Sequence, residues 1–284
     1  FDDENWIKAI QEIGGYTLLG ELPFQKMFWF FSNTGRNGKG TILRVLHSLL
    51  GNKLVRPDFD TKQLKDNKFY KLDLIGKRLI YSGDMENQIY ALNALKSLTG
   101  GDMQVSDVKF SNFEMFPVYG KIIFSMNNLP AIKDDENKEP LRKRILFLEF
   151  FYQINNPNTD IEKILENERS GIFNFFLQGL KRLLECEKFT ETAIGRFISS
   201  VFMEDDNTLE LFLDTFIEYV PNAEGLYLNE IIEAYRKLIN KISNPKTIAK
   251  HHILLNKRNK DIADYLSKKF PELEKITKSF QDGN

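Results

Sequence analysis

A short aromatic segment, Phe28–Phe31, leads through a glycine-rich loop into an apolar stretch with the periodicity of a helix. The backbone N–H groups of such a loop, together with the N-terminus of the following helix, favour a bound polyphosphate. Lys39 is placed to reach the β- and γ-phosphates. The pattern therefore predicts a site for a nucleoside triphosphate. The residues predicted to line it are Gly35, Arg36, Asn37, Gly38, Lys39, Gly40 and Thr41.

This loop departs from the general motif G-x-x-x-x-G-K-[ST] at two positions. Asn33 stands at the first glycine position, and Gly40 follows the lysine where a serine or threonine is usual. Thr41 is then the nearest hydroxyl that could ligate Mg²⁺, one position later than normal. Taken alone, the segment is also compatible with a simple strand-to-helix turn that carries a surface lysine.

Two further apolar stretches are predicted strands, and polar side chains follow each of them. Asp84 and Glu86 come after Leu79–Ser82, and Asn127 comes after Ile122–Met126. In open α/β sheets, ligands bind at the carboxyl ends of the strands. We expect Asp84 to hold Mg²⁺ and polarise the attacking water, with Glu86 as a second acid. Asn127 would orient that water, although turn-forming roles remain the alternative for all three residues.

Basic residues at two other places suggest further contacts. Arg142 and Arg144 precede a fourth apolar stretch, and arginine is suited to a γ-phosphate across a subunit interface. Lys109 and Phe110 lie in a predicted hairpin after a double glycine. A cation beside an aromatic ring at such a tip could bind a phosphate and stack on a base, whereas an ordinary turn is the alternative.

Composition limits the classes of protein that the chain can belong to. The formal net charge of −1 argues against a generally basic nucleic-acid binder, so any DNA contact must come from a local patch. Cys186 is the only cysteine, which excludes an internal disulfide and fits a reducing, intracellular setting. No apolar run approaches the roughly 18 residues of a membrane span. Without an initiator Met or a signal-peptide pattern, we expect a fragment of a longer polypeptide.

Five motifs occur in one order along the chain: Gly-x-Asn-Gly-Lys-Gly-Thr, strand-Gly-Asp-x-Glu, Leu-Lys-x-Leu-Thr-Gly-Gly-Asp, Asn-Asn-Leu-Pro and Arg-Ile-x-x-x-x-Phe. In this order the chain resembles superfamily 3 helicases of the poxvirus, phage and archaeal-plasmid primase-helicase type, over residues 8–190. The resemblance implies an α/β fold, namely an AAA+-like P-loop ATPase core with a parallel sheet. It also implies ATP and Mg²⁺ as cofactors.

The same resemblance suggests a role for each matched residue. Lys39 matches the Walker A lysine, Asp84 the Walker B acid and Asn127 the sensor asparagine. Arg144 matches an arginine finger that is supplied to a neighbouring subunit, with Arg142 as the fallback. The dipeptide at 109–110 matches the tip of a DNA-gripping hairpin.

The expected partners follow from the family as well. They are single-stranded and forked DNA, further copies of the chain in a homo-hexamer, and a covalently attached primase domain upstream. The genetic element would be a virus, phage or plasmid replicating inside a host cell. A non-translocating AAA+ initiator or loader is the main alternative, and a DNA-binding module with a dead nucleotide site is a third. The motif Leu98-Thr-Gly-Gly-Asp102 together with the predicted hairpin favours translocation.

Four regions are predicted from these patterns: a lead-in of short helices at 1–25, the ATPase core at 26–155, a helical extension at 156–203 and a winged-helix-like DNA-binding domain at 204–284. The last rests on helical periodicity near 208–220 and 227–242, and on a basic stretch at 246–269 that includes a third helix. Duplex DNA would be its partner, and a solvated helical cap without a partner is the alternative.

Overall fold

The computed structural model describes residues 3–85, 88–107, 114–132, 139–203, 207–217, 228–242 and 259–269. The chain divides into two compact units, Phe1–Ser199 and Ser200–Asn284. The predicted division into four regions stays a prediction. Within the described ranges, no helix combines the length and the apolar character that a membrane span requires.

The elements are numbered in chain order. The α-helices are α1 (Asp3–Tyr16), α2 (Lys39–Leu50), α3 (Thr61–Asp66), α4 (Leu92–Gly100), α5 (Glu139–Arg142), α6 (Ile161–Asn167), α7 (Arg169–Cys186), α8 (Ala193–Phe202), α9 (Thr208–Phe216), α10 (Leu228–Ile242) and α11 (Asn259–Lys269). The strands are β1 (Met27–Phe31), β2 (Val55–Arg56), β3 (Leu79–Ser82), β4 (Gln88–Ile89), β5 (Gln104–Ser106), β6 (Glu114–Phe116), β7 (Lys121–Met126), β8 (Ala131–Ile132) and β9 (Ile145–Glu149). Two 3₁₀ turns span Asn52–Leu54 and Tyr70–Leu74.

A five-stranded parallel sheet with the order β2-β3-β7-β1-β9 forms the centre of the first unit. Every residue of β1, β3, β7 and β9 is buried. Strands of a parallel sheet covered on both faces read as continuous apolar runs rather than as an alternation, which is why the sequence marked them clearly. The predicted α/β class and the parallel sheet are confirmed.

Strand β7 lies between β1 and β3, so three predicted site segments meet at one edge of the sheet. Phe31 is in register with Met126, and Ser82 is in register with Phe124. Neighbouring strands lie about 4.8 Å apart. The segments that follow β1, β3 and β7 are therefore adjacent in space, although 95 residues separate Phe31 from Met126 in the chain (126 − 31).

The described residues 3–25 contain a single helix, so the prediction of several short helices in the lead-in is wrong. This helix includes Gly14 and Gly15. Helix α1 continues through both glycines and packs along α7. A Cβ atom at Gly15 would overlap the backbone oxygen of Phe176, and one at Gly179 would overlap the backbone of Gln11. The glycines therefore allow two helices to approach closely, and that packing outweighs their weak helix propensity.

The polar stretch 51–71 contains one strand that the sequence did not reveal. Besides helix α3, this stretch contains Val55 and Arg56, which pair with Leu79 and Ile80 of β3. A strand of two residues is too short to show any periodicity. Its pairing is decided by the neighbouring strand, not by local sequence.

Strands β5 and β6 form an antiparallel pair in which Val105 lies opposite Met115. This is the base of the predicted hairpin. Its tip, with Lys109 and Phe110, lies outside the described residues, as does Glu86.

The second unit contains helices α9, α10 and α11, close to the positions predicted for them. The rings of Phe212 and Tyr235 meet edge to face, with centroids 5.1 Å apart. Tyr265 and Lys269 of α11 both donate to Oδ1 of Asp214, at 2.6 and 2.7 Å. The stretch 243–258, which carries much of the predicted basic surface, lies outside the described residues, so DNA binding by this unit stays a prediction.

Candidate nucleotide-binding site

The loop between β1 and α2 is shaped to receive an anion. Gly38 precedes α2 with φ 89°, a left-handed conformation that favours glycine. No side chain of the described residues caps the N-terminus of α2. Its first N–H groups therefore need a partner, and an anion is the favoured one. A Cβ atom built at Gly35 or Gly38 would meet no described atom within 4 Å, so the loop faces open space.

Lys39 is the first residue of α2, and its side chain points to the end of β7. Its Nζ donates to Oδ1 of Asn127 at 3.0 Å and to Oδ1 of Asn37 at 3.2 Å. Burial lowers the pKa of Lys39 to about 8, and the negative charge of Asp84 partly offsets that effect. Lys39, Asn127 and Asp84 thus share one electrostatic environment at the carboxyl edge of the sheet.

Asp84 is exposed and lies two residues beyond the end of β3. It lines a cavity of about 260 Å³ together with Asp58, Asp60 and Ser82. The backbone N–H of Met85 donates to the carbonyl oxygen of Ser125 at 2.8 Å, which ties the segment after β3 to the end of β7. This bond fixes the position of Asp84 relative to Asn127 along the direction of the strands.

Two carboxylates of this cavity were missed by the sequence reasoning. Asp58 and Asp60 follow β2, a strand of two residues that is recognised only through its pairing with β3. Oδ1 of Asp60 accepts from the backbone N–H groups of Lys62 and Gln63 and caps α3, so its first role is structural. The signal that could have revealed the pair is the pattern Asp-x-Asp shortly after a β-branched residue.

A magnesium ion fits these residues only as a companion of a nucleotide. Mg²⁺ is usually held by one or two carboxylates plus phosphate oxygens. Within the ranges that the structure describes, no group of three or more His, Cys, Asp or Glu side chains is placed to hold a metal by itself. Asp84, an exposed carboxylate at the strand end, supplies the hard oxygen that the ion prefers.

Thr41 faces a different part of the site. Its Oγ1 lies 3.4 Å from Nη2 of Arg44, and the side chain lines cavities to which Asp84 does not contribute. Thr41 and Asp84 therefore line different cavities. The role of Thr41 as a metal ligand stays a prediction.

Arg144 lies at the opposite edge of the sheet. It immediately precedes β9, its carbonyl oxygen accepts from the N–H of Met27 at 2.8 Å, and its Nη2 is 3.4 Å from Oε1 of Gln25. Because β9 has five residues, about 16 Å of strand separates this edge from the loop edge. Arg142, at the end of α5, belongs to the same amino edge. Neither arginine is brought to the phosphate loop of its own chain.

A second cavity, of about 570 Å³, adjoins the loop without contact with Asp84, and no sequence motif indicated it. Its residues come from three separate segments, so no local pattern could reveal it. The lining residues are Trp6, Asn37, Gly38, Thr41, Ile42, Glu149, Phe150, Tyr152, Ile154, Asn156, Pro157, Asn158 and Ile161.

One family model matches part of the chain. A model described as "Family of unknown function (DUF5906)" matches residues 30–144. No curated protein matches the sequence.

Among solved structures, the chain is similar to an apo structure of the NrS-1 C-terminal region, with 12% identity and a TM-score of 0.46, covering 87% of this chain and 68% of that one. For a second apo structure of that region the identity is 14% and the TM-score 0.46, with coverages of 81% and 58%. A JCV helicase with a bound small molecule shows 13% identity and a TM-score of 0.32, with coverages of 71% and 65%.

Proposed function

We propose that this chain is the motor part of an ATP-dependent replicative DNA helicase, a ring-forming translocase of the superfamily 3 primase-helicase type. One observation carries the proposal. Nζ of Lys39, on an open glycine-rich loop at the start of α2, lies 3.0 Å from the amide oxygen of Asn127, at the end of the neighbouring strand. A P-loop lysine and a polar residue poised beside it are the parts that ATP hydrolysis needs.

The backbone N–H groups of the loop and the ammonium of Lys39 bind the phosphates in this mechanism. Lys39 exchanges the oxygen of Asn127 for a phosphate oxygen, and the released amide is then free to orient a water. Asp84 accepts a hydrogen bond from that water and takes its proton as the water oxygen attacks the γ-phosphorus. The bond from the γ-phosphorus to the β–γ bridging oxygen breaks, and ADP leaves with that oxygen. A Mg²⁺ ion held by Asp84 would neutralise charge on the β- and γ-oxygens.

The position of Arg144 supports a ring. Charge stabilisation by an arginine accelerates phosphoryl transfer by about 10³–10⁵. Arg144 lies at the edge of the sheet away from its own loop, beside Gln25. A neighbouring subunit that stacks its loop edge on this amino edge would receive the guanidinium, and one chain alone would hydrolyse ATP slowly.

Contact with single-stranded DNA is proposed for the hairpin that begins with β5 and β6. Lys109 would bind a phosphate and Phe110 would stack on a base or sugar. Lys109→Ala and Phe110→Ala should spare basal hydrolysis and abolish unwinding of a forked substrate. Normal unwinding by both variants would contradict this assignment.

The first test is ATP hydrolysis with and without single-stranded DNA, repeated with Arg144→Ala subunits mixed into the wild type. In a ring with shared sites, we expect DNA to stimulate hydrolysis. The Arg144→Ala subunits should lower the hydrolysis rate by more than their dilution of the wild-type subunits alone would. Lys143→Ala is the matched control, since Lys143 is exposed and adjacent. Hydrolysis that responds to neither DNA nor Arg144→Ala subunits would contradict the motor and favour a nucleotide-switched initiator or loader.

A further inference from the structure

We infer that the cavity of about 570 Å³ beside the loop binds the nucleobase and ribose of the nucleotide, and that it holds the base by aromatic and apolar contact without reading its hydrogen-bonding edge. This inference rests on the proposed nucleotide site and adds the specificity of that site. Tyr152 is the residue that would contact the face of the base.

The cavity lies directly beside the phosphate loop. The cavity shares Asn37, Gly38 and Thr41 with the phosphate loop, so a ligand anchored there by its phosphates would extend into it. The backbone N–H of Ile154 donates to the carbonyl oxygen of Arg36 at 2.8 Å. The segment that forms the outer wall is thus bonded directly to the loop.

The wall of the cavity carries the aromatic side chains of Trp6, Phe150 and Tyr152. The indole N–H of Trp6 donates to the carbonyl oxygen of Glu149 at 2.8 Å, and its ring meets Phe150 edge to face with centroids 5.3 Å apart. These contacts hold Trp6 in place. Tyr152 remains 73% exposed at the cavity mouth. An exposed aromatic face beside a preformed apolar cavity is suited to stack on a planar base.

Three polar side chains of the wall, those of Glu149, Asn37 and Asn158, are already engaged inside the protein. The carboxylate of Glu149 accepts from Oγ1 of Thr192 at 2.6 Å. Asn37 binds Lys39 and the carbonyl oxygen of Thr34. Oδ1 of Asn158 accepts from the N–H of Asp160 at 2.9 Å.

Strong discrimination between nucleobases requires buried polar groups that the wrong base would leave without a hydrogen-bond partner. An apolar pocket changes the affinity for similar ligands by only about 10–200-fold. We therefore expect ADP, GDP and CDP to bind within roughly 200-fold of one another. Selection between bases would come from ring area, so the purines would bind more tightly than the pyrimidine.

Tryptophan fluorescence gives a direct readout. The chain has two tryptophans, and Trp29 is fully buried in β1, so a ligand in the cavity would report through Trp6. Titration with ADP should change the emission, whereas inorganic triphosphate should bind without that change. Trp6→Phe should remove the signal and leave binding measurable by calorimetry.

Tyr152→Ala provides the decisive variant. Loss of one stacking face should weaken ADP roughly tenfold and leave the affinity for inorganic triphosphate unchanged. Tyr152→Phe should bind ADP like the wild type, because the ring and not the hydroxyl makes the contact. Tyr119→Ala is the matched control, since Tyr119 is also exposed, at 42%, and does not line the cavity.

The outcomes separate this inference from the proposed function. Triphosphate binding with an unaffected Tyr152→Ala variant, or a preference above roughly 200-fold for one base, would overturn the inference and leave the phosphate site standing. Equal losses of ADP and triphosphate in Tyr152→Ala would also overturn it. A wild type that binds neither ligand would refute the nucleotide site itself, and the inference with it.

Discussion

The amide oxygen of Asn127 accepts a hydrogen bond of 3.0 Å from Nζ of Lys39, although 88 residues separate the two in the chain. The contact exists because β7 runs parallel to β1 and ends beside it. It places a polar side chain at the tip of the phosphate-binding lysine before any ligand arrives. The pair is thus a preformed element of the site, and it leads to the first two predictions.

Asn127→Ala should lower kcat for ATP hydrolysis by roughly 10²-fold, because the preorganised amide that orients the water is lost. The affinity for ADP should change little, since Lys39 keeps its contact with Asn37. Steady-state hydrolysis and calorimetric binding of ADP would measure the two effects separately. Asn128→Ala, one residue along at the same exposed strand end, is the control. An unchanged kcat in Asn127→Ala would contradict the assigned role.

Nucleotide affinity should fall at alkaline pH. The pKa of Lys39 is lowered to about 8, chiefly by burial, and only the protonated amine attracts phosphate. The dissociation constant for ADP should therefore be flat below pH 8 and rise about tenfold per pH unit above it. Lys39→Arg keeps its charge throughout and should lose this dependence if it binds. A wild-type affinity that is constant up to pH 10 would show that Lys39 does not carry the binding.

Lys121 predicts a pH dependence of stability. It is fully buried, its Nζ donates to the carbonyl oxygen of Leu19, and the ammonium lies 4.9 Å from the ring centre of Tyr16. Burial, with a contribution from Arg78, lowers its pKa to about 7. Between pH 7 and the ordinary lysine pKa of 10.5, the unfolded chain binds more protons than the folded one. The free energy of unfolding should thus rise with pH, by at most about 1.4 kcal/mol per unit from this group.

Lys121→Met should remove that contribution. Urea unfolding of both proteins at pH 7 and pH 9.5 would compare the slopes, because the contributions of other groups cancel in the difference. Parallel slopes would mean that the lysine titrates normally and is not buried as the structure shows.

Gly179→Ala should destabilise the first unit by about 3 kcal/mol. The added Cβ would overlap the backbone of Gln11 and force α1 away from α7. Gly171→Ala in the same helix is the matched control, since a Cβ there meets no described atom within 4 Å. It should stabilise the helix by about 0.5–1 kcal/mol. Chemical denaturation measures both, and similar effects of the two substitutions would contradict the close packing.

Several features of the fold could be predicted from sequence because they depend on local pattern. The buried strands are continuous apolar runs, and the loop at 35–41 carries Gly38 where a side chain would be strained. The amphipathic helices of the second unit were located for the same reason. Strand β2 and the unbroken course of α1 were missed because each depends on a partner elsewhere in the chain.

Sequence alone determined which residues have the chemistry of a phosphate site: a lysine in a glycine-rich loop, an acid and an asparagine after apolar strands. Only the tertiary structure decided their arrangement. It brought Asn127 to Lys39, placed Arg144 at the far edge, and closed an apolar cavity against Trp6. The physical reason is that residue type sets what a side chain can bind, whereas the order and direction of parallel strands set which side chains meet. Strand order depends on contacts between distant segments, and no local pattern encodes it.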